Sequence, residues 1–599
     1  MLTDAVTAWK AGDEAASARR ILAYFDQKTW PEALVVQLEP LPASPAAIVE
    51  AEAVLADTFT LQGVTGQQPR REDGSLDWKA GGPNDDPEWA WMLNRHHWML
   101  ALVAAWQATG EARYAEAVDT LLADWIRANP YPGRPSYSAA WRPLEAARRI
   151  DASWFEVWVK LRDSGFLSPE TRLLFLASLL DHADSLRRFH SPGGNHRLTE
   201  RVMLAKLAIW FPEFKDAAKW VDEARADVLA MMKAQVYPDG AYVELANHYQ
   251  LIAAGGFRSF FRLFSATGRT SEVTALEAPL RGMYDYIAGV MRPSGFGPLN
   301  NDSDLDPNDV ALGKARDLFP EFDALADLRA AKGAAGSRFF PFAGQLITRD
   351  GFGPDALWGF FDAGPQGSQH EHLDRLHLSV SVGKQDFLVD NGRYHYVPGR
   401  WREYFKGPRG HNVVLLNGEG TALPPRKVTK PLSVPNRITP QYAFAEAEAS
   451  FADSLGGSEA WHRRAVWFFP GDGWIVRDRI DGFGANTITT LWHFHPEVSV
   501  ELEGERTLLA QGGGKQLLMQ SIVARGSQLE LSLVAGREGI EPAGWYSPTF
   551  NVRLPAIQME AVQRSLGPVE HLWLIAPSRA ALKRLEEQLS DLPGKAPQL

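Results

Sequence analysis

From residue 14 to about 290, apolar side chains recur every three or four positions in Ala- and Leu-rich stretches, the period of a helix with one buried face. The spacing predicts helices over 14–26, 46–59, 88–109, 112–128, 138–163, 169–188, 197–210, 214–236, 244–266 and 272–291. Helix-ending chemistry separates them at Asn129-Pro130-Tyr131-Pro132-Gly133, Ser191-Pro192-Gly193-Gly194, Pro238-Asp239-Gly240 and Pro293-Ser294-Gly295. Short links between so many helices predict antiparallel neighbours in a helical array or toroid. No fixed-period repeat of the solenoid kind is visible.

After the Ala/Gly-rich stretch from Ala330 to Gly336 the pattern changes to short β-branched and aromatic runs bounded by glycine. In Leu376 to Val382 the even positions are apolar, the period of a strand with one buried face. Further strands are expected at 343–349, 357–362, 385–390, 412–417, 464–469, 473–478, 487–495, 507–510, 516–522, 528–534 and 571–576, with a closing helix from Arg579 to Leu589. Many short strands without intervening helices imply an antiparallel sandwich. The expected order is therefore α then β: a helical domain over 1–335 and a β-sandwich domain over 336–599.

Composition narrows the function classes. The 599 residues carry 62 basic and 73 acidic side chains, a net of −11, without a long Lys/Arg run. That argues against general nucleic-acid binding, which needs a concentrated basic face. The absence of cysteine excludes disulfides, thiolate metal sites and cysteine nucleophiles. No apolar stretch has the length of a membrane span. Met1 to Lys10 lacks the basic and apolar regions of a secretory signal.

Three polar blocks carry candidate chemistry. Gly193-Gly194-Asn195-His196-Arg197 opens a helix. Asn195 reads either as its N-cap, with His196 and Glu200 a surface pair, or with its neighbours as a cluster of donors for an anionic ligand. Asp239 to Tyr249 sets Glu244 and His248 one turn apart beside Tyr242 and Tyr249. The third block runs Gly367-Ser368-Gln369-His370-Glu371-His372-Leu373-Asp374, followed by Asp390-Asn391-Gly392 and His411-Asn412. If 370–374 is extended, His370, His372 and Asp374 share one face. Burial of such groups demands partners. A His/Asp/His set suits zinc better than calcium, although a hydrogen-bonded cluster tying strands together also satisfies the pattern.

These blocks, in this order, resemble the heparinase II/III-like polysaccharide lyases, most closely the heparinase III members. Phe211-Pro212-Glu213-Phe214, Gln235 to Gly240, the Trp89 to His97 block, Trp141 to Glu145 and His411-Asn412-Val413-Val414 extend the likeness over most of 75–420. The resemblance implies an incomplete (α/α) toroid followed by an antiparallel β-sandwich, and β-elimination on a 4-linked uronic-acid polysaccharide, with heparan sulfate favoured and alginate, glucuronan or a bacterial exopolysaccharide as alternatives. It implies Asn195 as neutraliser of the substrate carboxylate, Tyr249 as acid or base, with Tyr242 its less favoured substitute, and His370 as base or second carboxylate donor. It implies a structural divalent metal, zinc by its donors, on His372, Asp390 and His411, the last also having a catalytic reading. Small departures, Leu198-Thr199 and Pro238, bear on substrate identity.

Substrate contacts are expected from His196, Arg95, His96, Tyr242 and Tyr404. His97, Arg142, Arg148, Arg197, Arg402 and Arg409 are further candidates for a basic lining, with surface solvation the alternative for each. The family is usually exported, which implies periplasm or secretion, with the cytoplasm as the alternative because no secretory signal is visible. Two rival classes stand beside the lyase: an inverting glycoside hydrolase using Glu200, Asp239 or Glu244, and a non-catalytic acidic-glycan-binding protein.

Overall fold

In the computed structural model, residues 2–38, 41, 44–365, 370–421, 427–451, 460–482, 484–524 and 527–592 are described. Gly367, Ser368 and Gln369 of the third polar block lie outside them. The chain forms two compact units: Met1–Lys233 with Gly256–Glu277, and Ala234–Gly255 with Ala278–Leu599.

The first unit is helical, with one two-stranded ribbon of Thr58–Leu61 and Val64–Gln67. Helices Glu14–Gln27, Ala112–Ala128 and Pro169–Arg188 follow the apolar period closely. Ser168 caps the last of these, its hydroxyl accepting from Thr171 N at 3.2 Å, with Pro169 at the first helical position. The span expected as one helix over 88–109 is two, Pro87–Leu93 and Met99–Thr109. His96, at φ +61°, sits in the break between them.

Tryptophan dominates this core. Arg149 is fully buried, its guanidinium 3.8 Å over the Trp125 ring. It donates to Asn94 O at 2.8 Å and Ala140 O at 2.6 Å. It also donates to His182 Nε2 at 2.8 Å, so His182 carries its proton on Nδ1, which donates to Ser178 O at 2.6 Å. A buried cation is tolerated here because backbone carbonyls and ring faces replace water.

Among the described residues, the second unit is built mainly of antiparallel sheets of five, eight and four strands, none closed into a barrel. The five-stranded sheet runs in sequence order from Arg338–Phe340 to Gln385–Leu388. At the centre of the eight-stranded sheet, Trp461–Phe469, Gly473–Asp481 and Val569–Ala576 are neighbours. Alternation along these strands serves two cores. Val466, Trp474 and Trp573 pack with Leu346, Phe361 and Val380 of the five-stranded sheet and Trp492 and Met559 of the four-stranded sheet. Trp467, Ile475 and Leu574 point the other way, against Ala581, Leu582 and Leu585 of helix Arg579–Gln588. Burying Leu582 and Leu585 contributes about 2 kcal/mol each. Among the described residues, no helix is long and apolar enough to cross a membrane.

Candidate active site

The second unit carries a polar centre assembled from several segments distant along the chain. Helix Asn247–Ala266 begins three residues later than its apolar period predicts, because its first N–H groups are satisfied by the loop at 300–308. Asn247 N donates to Asn300 Oδ1 at 3.3 Å and His248 N to Ser303 Oγ at 3.2 Å, as capping side chains do from within a sequence. The amides of Asn300 and Asn301 return donors to Leu245 O at 2.7 and 3.0 Å. Glu244 therefore lies ahead of the helix and shares no helical face with His248, whose Nδ1 meets Asp306 Oδ2 at 2.9 Å.

This start places Tyr249 in the first turn. Its ring stacks on His370 with centroids 3.6 Å apart and planes at 17°. Its hydroxyl shares a 2.7 Å hydrogen bond with the hydroxyl of Tyr396. Arg393 donates to Tyr396 Oη at 2.8 Å while paired with Asp304 through Nε at 3.0 Å and Nη2 at 2.6 Å. Burial drives the Tyr249 phenol well above its ordinary value, and Tyr396 is pushed up to about 12 by the same cause. Both phenols are therefore protonated at neutral pH.

His370 Nδ1 lies 3.1 Å from Asp302 Oδ2, and its Nε2 lies 3.9 Å from Glu244 Oε2. Asp302 is buried and also meets His372 Nε2 at 2.9 Å through Oδ1. Arg402 closes on both Asp302 oxygens, at 2.5 and 2.8 Å. Burial alone raises a carboxyl, but the two imidazoles and the guanidinium hold Asp302 well below its usual range.

Next to it, His372, Asp390 and His411 are buried with one potential ligand atom from each within 4.8 Å of the others. His411 Nδ1 contacts Asp390 Oδ2 at 3.1 Å. His372 Nδ1 and His411 Nε2 are buried nitrogens without hydrogen-bond partners among the described residues. Orphaned imidazole nitrogens beside a carboxylate fit a divalent cation. Burial lowers His372 to about 4, so it is neutral, as a ligand must be. Asp390 is raised by burial, but His411 outweighs this and brings it to about 2.

The segment 370–377 is irregular, and the strand starts at Leu378, with Leu376 at φ +73°. The extended 370–374 reading is therefore corrected: loop geometry, braced by His372 N on Asn301 Oδ1 at 2.8 Å, orients these side chains. Glu371, buried with both carboxylate oxygens unpartnered among the described residues, is pushed to about 9, mainly by burial and then by Asp374 and Asp362.

The helical unit holds the other expected residues. Asn195 is buried in the first turn of Gly194–Trp210, whose N-cap is Gly193, so the N-cap reading of Asn195 is corrected. Glu200 is no surface partner of His196. It is buried, with its carboxylate accepting from Ser191 N and Oγ, both at 2.6 Å, which fastens the turn ahead of the helix. His196 is half-buried. Arg95 donates to the buried Glu145 at 2.9 Å, and Arg142 pairs with the same carboxylate at 3.1 Å while lying 3.9 Å over Trp91.

Three of the expected substrate contacts, His96, Tyr404 and Tyr242, are buried. His96 has 0% exposure among Trp78, Trp98, Trp125 and Trp154, and its Nδ1 accepts from Trp154 Nε1 at 3.0 Å. Tyr404 is buried, with its hydroxyl between Asn391 Nδ2 at 3.1 Å and Trp545 N at 3.2 Å. Tyr242 is buried too, its hydroxyl reaching Gln235 Oε1 at 3.2 Å. The carboxylates of the hydrolase reading are structural where their partners are seen: Asp239 accepts from Phe342 N at 2.7 Å and Ala343 N at 3.1 Å, and Glu200 from Ser191. Asp302, Asp304, Arg393 and Tyr396 escaped the sequence reading, because no spacing links 302–304 or 393–396 to 249 or 370.

Comparison with known families settles the kinship. Residues 2–327 match the family description Heparinase II/III N-terminus, and residues 332–584 match Heparinase II/III-like, C-terminal. The chain belongs to the heparinase II/III family. Among family members, it is 24% identical over 605 residues to a heparin-sulfate lyase of Bacteroides stercoris, covering 94% of this chain and 86% of that protein. It is 23% identical over 522 residues to a heparin-sulfate lyase of Pedobacter heparinus, covering 83% and 75%. The fold matches a crystal structure of heparinase III with TM-score 0.81 at 18% identity, over 96% of this chain and 91% of that one. A heparan sulfate lyase structure from Pedobacter heparinus matches over the same shares at TM-score 0.64 and 20% identity.

Proposed function

We propose that this family member is a polysaccharide lyase that cleaves heparan sulfate or a closely related glycosaminoglycan at a 4-linked uronate by β-elimination. The observation that carries the reading is the stack of Tyr249 on the half-buried His370, which sets a phenol and an imidazole face to face in one polar centre. The names of the relatives support the substrate class.

β-Elimination requires that charge on the C5 carboxylate be reduced, the C5 proton removed and the departing O4 protonated. The first need is electrostatic, because the proton is weakly acidic until donors hold the carboxylate. Asn195 is assigned that role as a neutral donor. His370 takes the C5 proton on Nε2, since its Nδ1 faces the Asp302 carboxylate. Tyr249 gives its proton to O4; burial keeps the phenol protonated, so it serves as acid. Tyr396 passes its proton to the Tyr249 oxygen through the shared hydroxyl hydrogen bond and is reprotonated from solvent, while Arg393, which keeps its own protons, holds the Tyr396 oxygen in place. The product carries a C4=C5 unsaturated uronate end.

The ion held by His372, Asp390 and His411 is assigned as zinc on its N, N, O donor set. When bound, it supplies positive charge that cross-links the segments carrying these residues. A periplasmic or secreted location accords with an extracellular glycan substrate. The test is an ultraviolet absorbance time course on heparan sulfate, heparin, hyaluronan, chondroitin, alginate and glucuronan. A rise with heparan sulfate supports the proposal; new reducing ends without absorbance would replace it with hydrolysis.

A further inference from the structure

The feature that no motif announced is the position of Asp302. It is one buried carboxylate with two imidazoles and a guanidinium on its two oxygens. An ionised carboxylate only accepts hydrogen bonds, so each imidazole nitrogen facing it must carry a proton. For His370 that nitrogen is Nδ1, and for His372 it is Nε2. The two rings are thereby fixed in opposite tautomers. The lone pair of His370 is left on Nε2, and that of His372 on Nδ1, a buried nitrogen with no partner among the described residues. The backbone locks the arrangement: Asp302 N donates to His370 O at 2.9 Å, and His372 N to Asn301 Oδ1 at 2.8 Å.

We propose that Asp302, clamped by Arg402, is a positioning residue that sets both tautomers at once. One carboxylate thus readies His370 to accept a proton and His372 to bind the metal. The His370 half rests on the lyase reading above; the His372 half does not.

Asparagine at this position makes the argument testable, because its amide cannot accept at both ends. With the NH2 where Oδ1 stood, His372 must accept on Nε2, carry its proton on Nδ1 and lose its ligand lone pair. With the NH2 where Oδ2 stood, His370 must accept on Nδ1, carry its proton on Nε2 and lose its base. Either way one function fails, whereas a merely structural aspartate would lower thermal stability and leave both lone pairs in place.

The deciding measurement is made on the parent protein, with Asp302 in place. In the full-length zinc-loaded protein with 15N-labelled histidine, the ring nitrogen shifts of His370 and His372 report where each proton sits, with assignment by His370→Gln and His372→Gln. Opposite tautomers, Nδ1–H on His370 and Nε2–H on His372, are expected; the same tautomer on both rings overturns the proposal.

For Asp302→Asn, zinc affinity measured by chelator competition is expected to fall about 10- to 100-fold, the usual effect of losing a ligand's hydrogen-bond partner. Where the amide nitrogen faces His370 rather than His372, zinc affinity is kept and it is kcat on heparan sulfate, at saturating zinc, that is expected to fall about 100-fold or more with KM within about threefold, the size of a general-base contribution. Zinc affinity and kcat both within about threefold of the parent overturn the proposal. If the parent turns over none of the polysaccharides, the tautomers and zinc affinity still decide the role of Asp302, and the lyase reading alone falls. If the variant does not fold, the tautomers of the parent decide.

Discussion

Replacing Tyr249 by phenylalanine separates chemistry from architecture. The change removes one oxygen, and the ring, stacked on His370 at 3.6 Å, is retained. The lost hydrogen bond is the 2.7 Å contact to Tyr396, whose oxygen keeps its Arg393 donor and is not orphaned. A neutral hydrogen bond of this kind is worth about 1 kcal/mol. In a chain of this size that lowers the melting temperature by only about 2 °C, at the bottom of the range for smaller domains. Loss of a general acid costs about 10²- to 10⁴-fold in rate, or roughly 3–5 kcal/mol at 1.36 kcal/mol per decade. The assay pairs the absorbance time course at saturating substrate with calorimetric melting. Tyr249→Phe is expected to lose at least 99% of kcat, a bound of about 10² from the same source, with KM and melting nearly unchanged. Activity above about one third of the parent refutes the acid assignment, and a collapse in melting temperature refutes the structural reasoning.

Metal analysis of protein purified without chelator is expected to find one zinc per chain on His372, Asp390 and His411. Stripping it should destabilise the fold by about 4 kcal/mol where free zinc stood at 1,000 times its dissociation constant, and an unchanged melt after complete stripping counts against a structural ion. Arg393→Met leaves Asp304 unpaired and Tyr396 without its donor; a loss of about 3 kcal/mol in denaturant unfolding is expected, together with a fall in kcat. Burial lowers His571 to about 4 from its ordinary 6.5. The unfolded chain binds that proton first, so stability is full above pH 6.5 and is lost as pH falls toward 4. The group contributes about 3 kcal/mol over that window, and His571→Gln should flatten that part of the stability–pH curve; an unchanged slope would refute the assignment.

The sequence determined by itself what short-range periodicity encodes. Ala112–Ala128, Pro169–Arg188, Leu357–Asp362 and the closing helix Arg579–Gln588 sit where their apolar spacing puts them. Tyr249, His370 and the His372, Asp390 and His411 set were nameable because the ordered polar blocks are distinctive. Spacing could not reach what depends on neighbours distant along the chain. Ala443–Ser450, alternating Ala with Glu, is helix-prone by composition. It is a strand because Trp461–Phe469 lies beside it and its alanines enter the sheet core. His96 looked like a ligand-binding residue because a polar ring in a charged stretch is usually exposed, and only the surrounding tryptophans show it to be core. The proton positions on His370 and His372 were beyond any motif, because they are set by Asp302, which lies 68 and 70 residues away along the chain. A side chain's type is local, but its protonation and direction are decided by whichever groups the fold brings within hydrogen-bond distance.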